Sequence, residues 1–414
     1  MRRSLRNAAC AGLLLALAAV SPKAFAAEKP KVRAITAFVR LDRARYQAQI
    51  RDTLDFLGKA KITLERAGYE VQTIRISTQP FPEYTRGLTR EQALAFFREY
   101  NALAGKENFI AAIGPAMVAD ADDPAQAELL GEILKANSNL DASLVVAGED
   151  GVHWRAVHAA AGLMKFLAEE TAHSQGNFHF AATSLVPEGT PFYPASYHRG
   201  TGRSFALALE SANVVQEALA SAPGDPAGAR KALVASLGAH ARAIEAIALR
   251  IGKLSGWRYG GMDLSPAPLK DVSIGAAIES FTGQRVGASG TMSAAALVTA
   301  ALRDIPVKRA GYSGLMLPVL EDSRLAERWS EGALTLDSLL AYSAVCGTGL
   351  DTIPLPGDVT EDQLARIIGD MATLSVKWRK PLSARLLPVK GKKAGEKSAF
   401  DDPYLVNAIL QPLP

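Results

Sequence analysis

Short apolar runs alternate with amphipathic stretches at helical spacing along most of this chain. Residues 32–39 predict a first strand, and residues 43–67 follow with Ile50, Leu54, Leu57 and Leu64 near helical spacing. Residues 71–77 predict a second strand, and Thr89-Arg90-Glu91-Gln92 has the form of a capping box that opens the next helix. Residues 109–113 and 144–147 predict short strands, separated by a helix that Asp123-Pro124 would start. A helix over 153–172 and a strand over 177–183 come next. Asp225-Pro226 opens a long Ala-rich helix to about residue 252. Later strands are expected near 315–319, 342–346 and 384–389, and Thr360-Glu361-Asp362-Gln363 opens a helix to about residue 376. Residues 186–201 and 391–397 carry the least pattern. Repeated strand–helix alternation of this kind predicts an α/β protein with a parallel sheet, open or closed into a barrel.

The N-terminus reads as a cleavable export signal. Arg2, Arg3 and Arg6 precede an apolar run at 8–20, and Ala24-Phe25-Ala26 supplies a small-x-small cleavage site. The expectation is a signal peptide over 1–26, with the apolar run too short for a retained span. Cys10 precedes that run and leaves with it, while Arg2-Arg3 leaves twin-arginine export open beside ordinary secretion. No later segment reads as a membrane span, so a soluble periplasmic protein without stable membrane insertion is expected.

Removing the leader changes the charge argument. The chain has 46 Lys+Arg against 42 Asp+Glu. The leader holds four basic residues and no acidic ones, which leaves 42 of each sign. A nucleic-acid role loses its electrostatic support. With 48% hydrophobic residues, 27–414 can form one large domain in two halves, 27–255 and 256–414.

Several ordered segments carry a family resemblance. Phe178-His179-Phe180-Ala181-Ala182 precedes Pro187-Glu188-Gly189-Thr190-Pro191-Phe192-Tyr193-Pro194-Ala195-Ser196-Tyr197-His198. Gly287-Ala288-Ser289-Gly290-Thr291, Pro318-Val319-Leu320-Glu321-Asp322, Cys346-Gly347-Thr348-Gly349-Leu350-Asp351 and Arg385-Leu386-Leu387-Pro388-Val389 follow. In this order they resemble the domain of unknown function 711 family. The resemblance implies a barrel of two five-stranded parallel half-barrels surrounded by helices, like that of pyruvate formate-lyase and the anaerobic ribonucleotide reductases. It supplies no substrate. Lys308-Arg309-Ala310-Gly311-Tyr312 imitates a radical-glycine loop only faintly, with Lys where Arg is expected and far before the C-terminus. No glycyl radical is expected, since fold does not imply function.

Candidate chemistry falls into four sets. Cys346, the sole cysteine after the leader, would end a strand, with Gly347 and Gly349 turning the chain so that Asp351 returns beside the thiol. It is either a nucleophilic or acid/base thiol or a packed small residue. Glu321 and Asp322 could hold a divalent cation, Mg²⁺ or Ca²⁺, or could cap a helix. Asp263 is a further acid/base candidate. Glu210 and Asn213, three apart, would share a helix face and bind ligand. Gly290 and Thr291 could cradle an anion at a helix start or form a capped turn, with Arg385, Lys392 and Lys393 adding charge. His198 is the preferred general acid/base, against a structural hydrogen-bonding role. The functional expectation is an enzyme acting on a small polar or anionic metabolite by acid/base or nucleophilic chemistry. The alternative is a non-catalytic periplasmic ligand-binding protein, and a homo-oligomer is compatible with either.

Overall fold

A computed structural model describes residues 29–413, so the leader and its cleavage site lie outside the described residues. Ten strands share one sheet: β1 (Lys31–Phe38), β2 (Val71–Ser77), β3 (Ile110–Pro115), β4 (Leu140–Gly148), β5 (Gly151–Val152), β6 (Phe180–Ser184), β7 (Ser204–Glu210), β8 (Arg258–Asp263), β9 (Gly349–Pro356) and β10 (Leu382–Val389). Their order is β8-β7-β1-β2-β3-β4-β6-β10-β9, with β5 paired to β4. The run β1-β2-β3-β4-β6 is parallel, as are the pairs β7-β8 and β9-β10. Antiparallel junctions β1-β7 and β6-β10 join these blocks.

Helices form where the amphipathic stretches predicted them. Helix Tyr46–Arg66 buries Ile50, Leu57 and Leu64. The boxes at Thr89 and Thr360 both form, with each threonine hydroxyl accepting the backbone N–H of the glutamine three residues on. Asp225 caps Pro226–Ser255 by accepting from Ala227 and Gly228, and Gly256 ends that helix at φ 74°. By length and composition this helix could cross a membrane, contrary to the sequence expectation. In the structure it buries Leu233, Leu237, Ile244 and Ile251 and packs against helices Tyr46–Arg66, Ala212–Ala220 and Thr291–Asp304.

The closed barrel is the main point of difference. The sheet does not close: β8 and β9 are its edges. Residues 308–320 stand in the gap and make one parallel bridge to each edge, Arg309 to Met262 and Pro318 to Asp351. The strand expected at 315–319 does not form. Pro318 has no N–H to give a ladder. Gly314 also presses so closely on Gly347 that a Cβ on it would come within 2.7 Å of the Gly347 backbone.

Two other expectations change, and one segment expected to be irregular proves to be buried. Residues 342–346 are no strand: helix Leu336–Tyr342 ends there in a turn, and β9 starts only at Gly349. Glu210 and Asn213 do not share a helix face, because Glu210 ends β7 and Asn213 lies in helix Ala212–Ala220. Residues 186–201 have no regular structure yet are largely buried, threading along the inner side of the sheet. Thr36 donates its hydroxyl to Pro191 O at 2.9 Å, Tyr193 donates to Ile76 O at 2.7 Å, and Ser196 bonds Ser77 at 2.9 Å.

Candidate functional site

Strand positions two apart project to the same face. On β2 the inner positions carry Thr73 and Arg75, on β4 Asp141, and on β10 Ser383 and Arg385. These side chains line a cavity of about 130 Å³, roofed by Phe192 and Tyr193 of the buried loop and by Tyr312 and Met316 of the bridging segment. Such a volume is below the usual range of drug-sized sites and suits a small metabolite.

Two irregularities place charge here. Arg33 is the extra residue of a bulge in β1 against β7. On β9, Leu350 faces Ala384 and Ile353 faces Leu386, so an extra residue bulges between them. Thr352 takes φ 47°, a strained conformation for a β-branched residue. Its hydroxyl accepts the Leu320 N–H at 3.2 Å, which helps to hold it there. Asp351, beside it, points its carboxylate at Arg385.

Arg385 donates from Nε to Asp351 Oδ1 at 2.8 Å and from Nη2 to Glu321 Oε1, and stacks 4.9 Å from the Phe178 ring centre. Burial raises the Asp351 pKa, Arg385 opposes that, and the Glu321 charge adds to it. Across the cavity His179 Nδ1 lies 3.5 Å from Asp141 Oδ1. Burial alone would lower the His179 pKa, but the Asp141 hydrogen bond and charge outweigh it and the net direction is upward. Arg75 is different. It is buried, donates Nε to Thr73 Oγ1 at 3.1 Å, stacks on Tyr193, and among the described residues has no carboxylate within ion-pairing distance. Burial, with repulsion from Arg33, pushes its pKa down to about 10.

The cavity thus gathers Asp351, Glu321 and Arg385 from the sequence candidates. Asp322 is not with them. Its Oδ1 accepts from Ser273 Oγ, Arg324 N and Leu325 N, and its Oδ2 from Ile274 N and Gly275 N. Asp322 therefore caps two helices, and the expected cation pair with Glu321 does not converge. Among the described residues no three His, Cys, Asp or Glu side chains group as metal ligands. Asp263 is fully buried and accepts from Ser265 N, Tyr312 N and Ser313 N, so it holds the turn that carries Tyr312. Burial raises its pKa.

Cys346 is a free, buried thiol in the main core and lines none of the cavities described. The Lys380 ammonium donates to its carbonyl and to that of Ser343, closing the turn. Glu210 accepts from Gln72 at 2.8 Å and lies 3.6 Å from Arg33, behind the cavity wall. Asn213 donates to Lys29 O at 3.5 Å. Gly290 is the helix cap at φ 103°, and Thr291 Oγ1 accepts the Gly287 N–H, which makes a capped turn away from the cavity. Lys392 pairs with Glu396 at 3.4 Å, and Lys393 N donates to the same carboxylate. His198 lines a separate, second cavity.

A family model described as uncharacterised ACR (DUF711) matches residues 23–401. The chain belongs to the DUF711 family. A UPF0210 protein of Pyrobaculum arsenaticum is 36% identical over 280 residues, spanning 65% of this chain and 61% of that relative. A UPF0210 protein of Pyrobaculum aerophilum is 34% identical, spanning 80% of this chain and 76% of the relative. One from Bifidobacterium longum subsp. infantis is 31% identical over 72% and 69%.

In this DUF711 chain the sequence reading missed Arg75, Asp141 and His179. The available signal was period-two polarity inside strands. Thr73 and Arg75 alternate with Ile74 and Ile76, and Asp141 and Ser143 alternate with Leu140, Ala142 and Leu144. Such alternation normally marks a solvent face. Here helices cover one face of the sheet, and the polar face lines the cavity.

Proposed function

We propose that this protein is an exported enzyme that transfers a proton on a small anionic metabolite bound by Arg75. The observation that carries the reading is the buried Arg75 guanidinium with no carboxylate partner in a cavity wall. An unpaired buried charge is costly, and an anionic ligand is the group that offsets the cost. Charge-assisted hydrogen bonds from its free Nη donors would fix a carboxylate or phosphate group of the substrate.

Around that anchor stand groups suited to acid/base work. His179, held by Asp141 and with its proton affinity raised, is the acid; Asp351, whose pKa burial raises, is the base. Arg385 orients Asp351, and the Tyr312 hydroxyl bonds Ser383 beside them. A cation shared by Glu321 and Asp322 has no part in this scheme, since both Asp322 oxygens are spent on helix caps. The same reading takes residues 1–26 as a cleaved periplasmic export signal. It also takes residues 308–320 as the piece that completes a barrel-like wall around the cavity.

Solvent-deuterium exchange tests it. Protein purified from its native compartment is incubated in heavy water, and any metabolite released by denaturation is weighed by mass spectrometry. Exchange in the wild type that disappears in Asp351→Asn, with the metabolite still bound, supports catalysis. A retained metabolite that never exchanges in either protein overturns it in favour of a receptor.

A further inference from the structure

A second cavity, of about 360 Å³, lies beyond Tyr312, whose ring borders both spaces. Its wall includes Phe38 at the C-terminal end of β1, Ser204 and Arg258 at the N-terminal ends of β7 and β8, and Pro381 just before β10. The Arg75 cavity draws instead on the middle of β2, at Thr73 and Arg75, and on the starts of β3 and β4, at Ile110 and Asp141, so the two lie toward different ends of the parallel strands.

The charge of this second cavity is one-sided. Arg199, Arg258, Arg303 and Arg309 line it against a single carboxylate, Glu188. None of the four forms an ion pair with a described residue. Arg309 donates one N–H to the Arg303 carbonyl at 2.8 Å, and Arg199 lies 5.7 Å from the Tyr197 ring centre. A surface arginine alone is ordinary, but four converging on one concavity with one acid are not self-neutralised.

A buried group adds an independent observation. His198 lines the same cavity at 4% exposure, and its Nε2 is buried with no hydrogen-bond partner among the described residues. Buried polar atoms are satisfied in the great majority of cases, so an orphan asks for a partner. Burial lowers the His198 pKa and outweighs the Glu188 charge and the Gly202 backbone, which raise it, while the positive charges of Arg258 and Arg40 push with burial, so both Glu188 and Arg258 lie in its field.

We propose that the Arg258–Arg303–Arg309 cavity, with His198 in its wall, is a second anion site that takes a phosphate-bearing ligand, separate from the Arg75 site. Guanidinium forks match phosphate oxygens two at a time, and several forks around one concavity favour a doubly charged or larger oxyanion over a single carboxylate.

Calorimetric titration of pyrophosphate and of inorganic phosphate into the full chain tests this. The expected result is binding of pyrophosphate that persists in Arg75→Met. Its affinity falls at least roughly tenfold in Arg258→Ser/Arg303→Ser, as loss of charge-assisted hydrogen bonds requires. Both replaced residues are exposed, and circular dichroism checks that the double variant stays folded. Absence of heat with both anions overturns the proposal. So does binding that the double variant leaves untouched; if Arg75→Met abolishes that binding, the anion sits in the central cavity.

Discussion

Arg75 stacks on Tyr193 with its guanidinium carbon 4.7 Å from the ring centre, and this ring takes the place that a carboxylate would hold in a buried ion pair. A cation over an aromatic face gains about 1–2 kcal/mol when desolvated. The depression of the Arg75 pKa from 12.5 to about 10 represents a charge-burial cost on the order of 3 kcal/mol. Under the proposed function, a bound anion would recover that loss. Arg75→Met should raise the stability of the ligand-free protein by about 1–2 kcal/mol, read as a higher urea midpoint with unchanged slope. A lower midpoint would mean that the arginine is structural.

His179 gives a pH signature. Its native pKa lies above the ordinary 6.5 because Asp141 overcomes burial. A raised native value means that its contribution to stability is full below about pH 6.5 and is lost as pH rises through the native pKa. An NMR titration of the His179 ring should give a midpoint above 6.5, falling in Asp141→Asn. An unshifted midpoint in the wild type would remove the imidazolium from the proposed scheme.

Asp322 should behave as a structural carboxylate. Asp322→Ala strands four backbone N–H groups at two helix starts together with the Ser273 hydroxyl. The expected loss is about 3–4 kcal/mol, the sum of two lost caps with buried donors left unpaired. The conservative Asp322→Asn should recover part of it. Chemical denaturation of the three proteins measures this, and a neutral alanine variant would contradict the capping role.

Cys346 should be inert. Its side chain is 1% exposed and lies in the main core. Iodoacetamide should fail to label the folded protein and should label it in denaturant. Cys346→Ala should lower stability by about 1–2 kcal/mol through the small void it leaves. Deuterium exchange into the bound metabolite should be unchanged; its loss in this variant would return the thiol to the mechanism.

How much of this was legible depends on what each pattern encodes. β1 and β2 were placed within a residue or so because their apolar content is high and the flanking helix has a clear spacing. β7 and β8 were missed: Ser204-Phe205-Ala206-Leu207-Ala208-Leu209 has small residues with little β preference, and Tyr259-Gly260-Gly261 looks like a turn. Asp351 and Arg385 were found singly, but their pairing rests on the ladder between β9 and β10, which local sequence does not express. Asp322 kept two readings open because acidic residues both cap helices and bind cations, and only the surrounding N–H groups decide for the cap. Arg75 was invisible for a related reason. A charged strand residue reads as solvent-facing until the fold is known to cover that face.

Anion binding at Arg75 is the property on which the proposed function depends most directly. The decisive measurement is the thermal melting of the wild type and Arg75→Met side by side, without ligand and with malonate, succinate or inorganic phosphate added in turn. The prediction is that at least one carboxylate raises the wild-type midpoint, by mass action on the folded state, and leaves Arg75→Met unmoved. If no anion moves the wild type, or if the carboxylate shift is the same in both proteins, Arg75 is not the anchor of a ligand and the central claim is wrong.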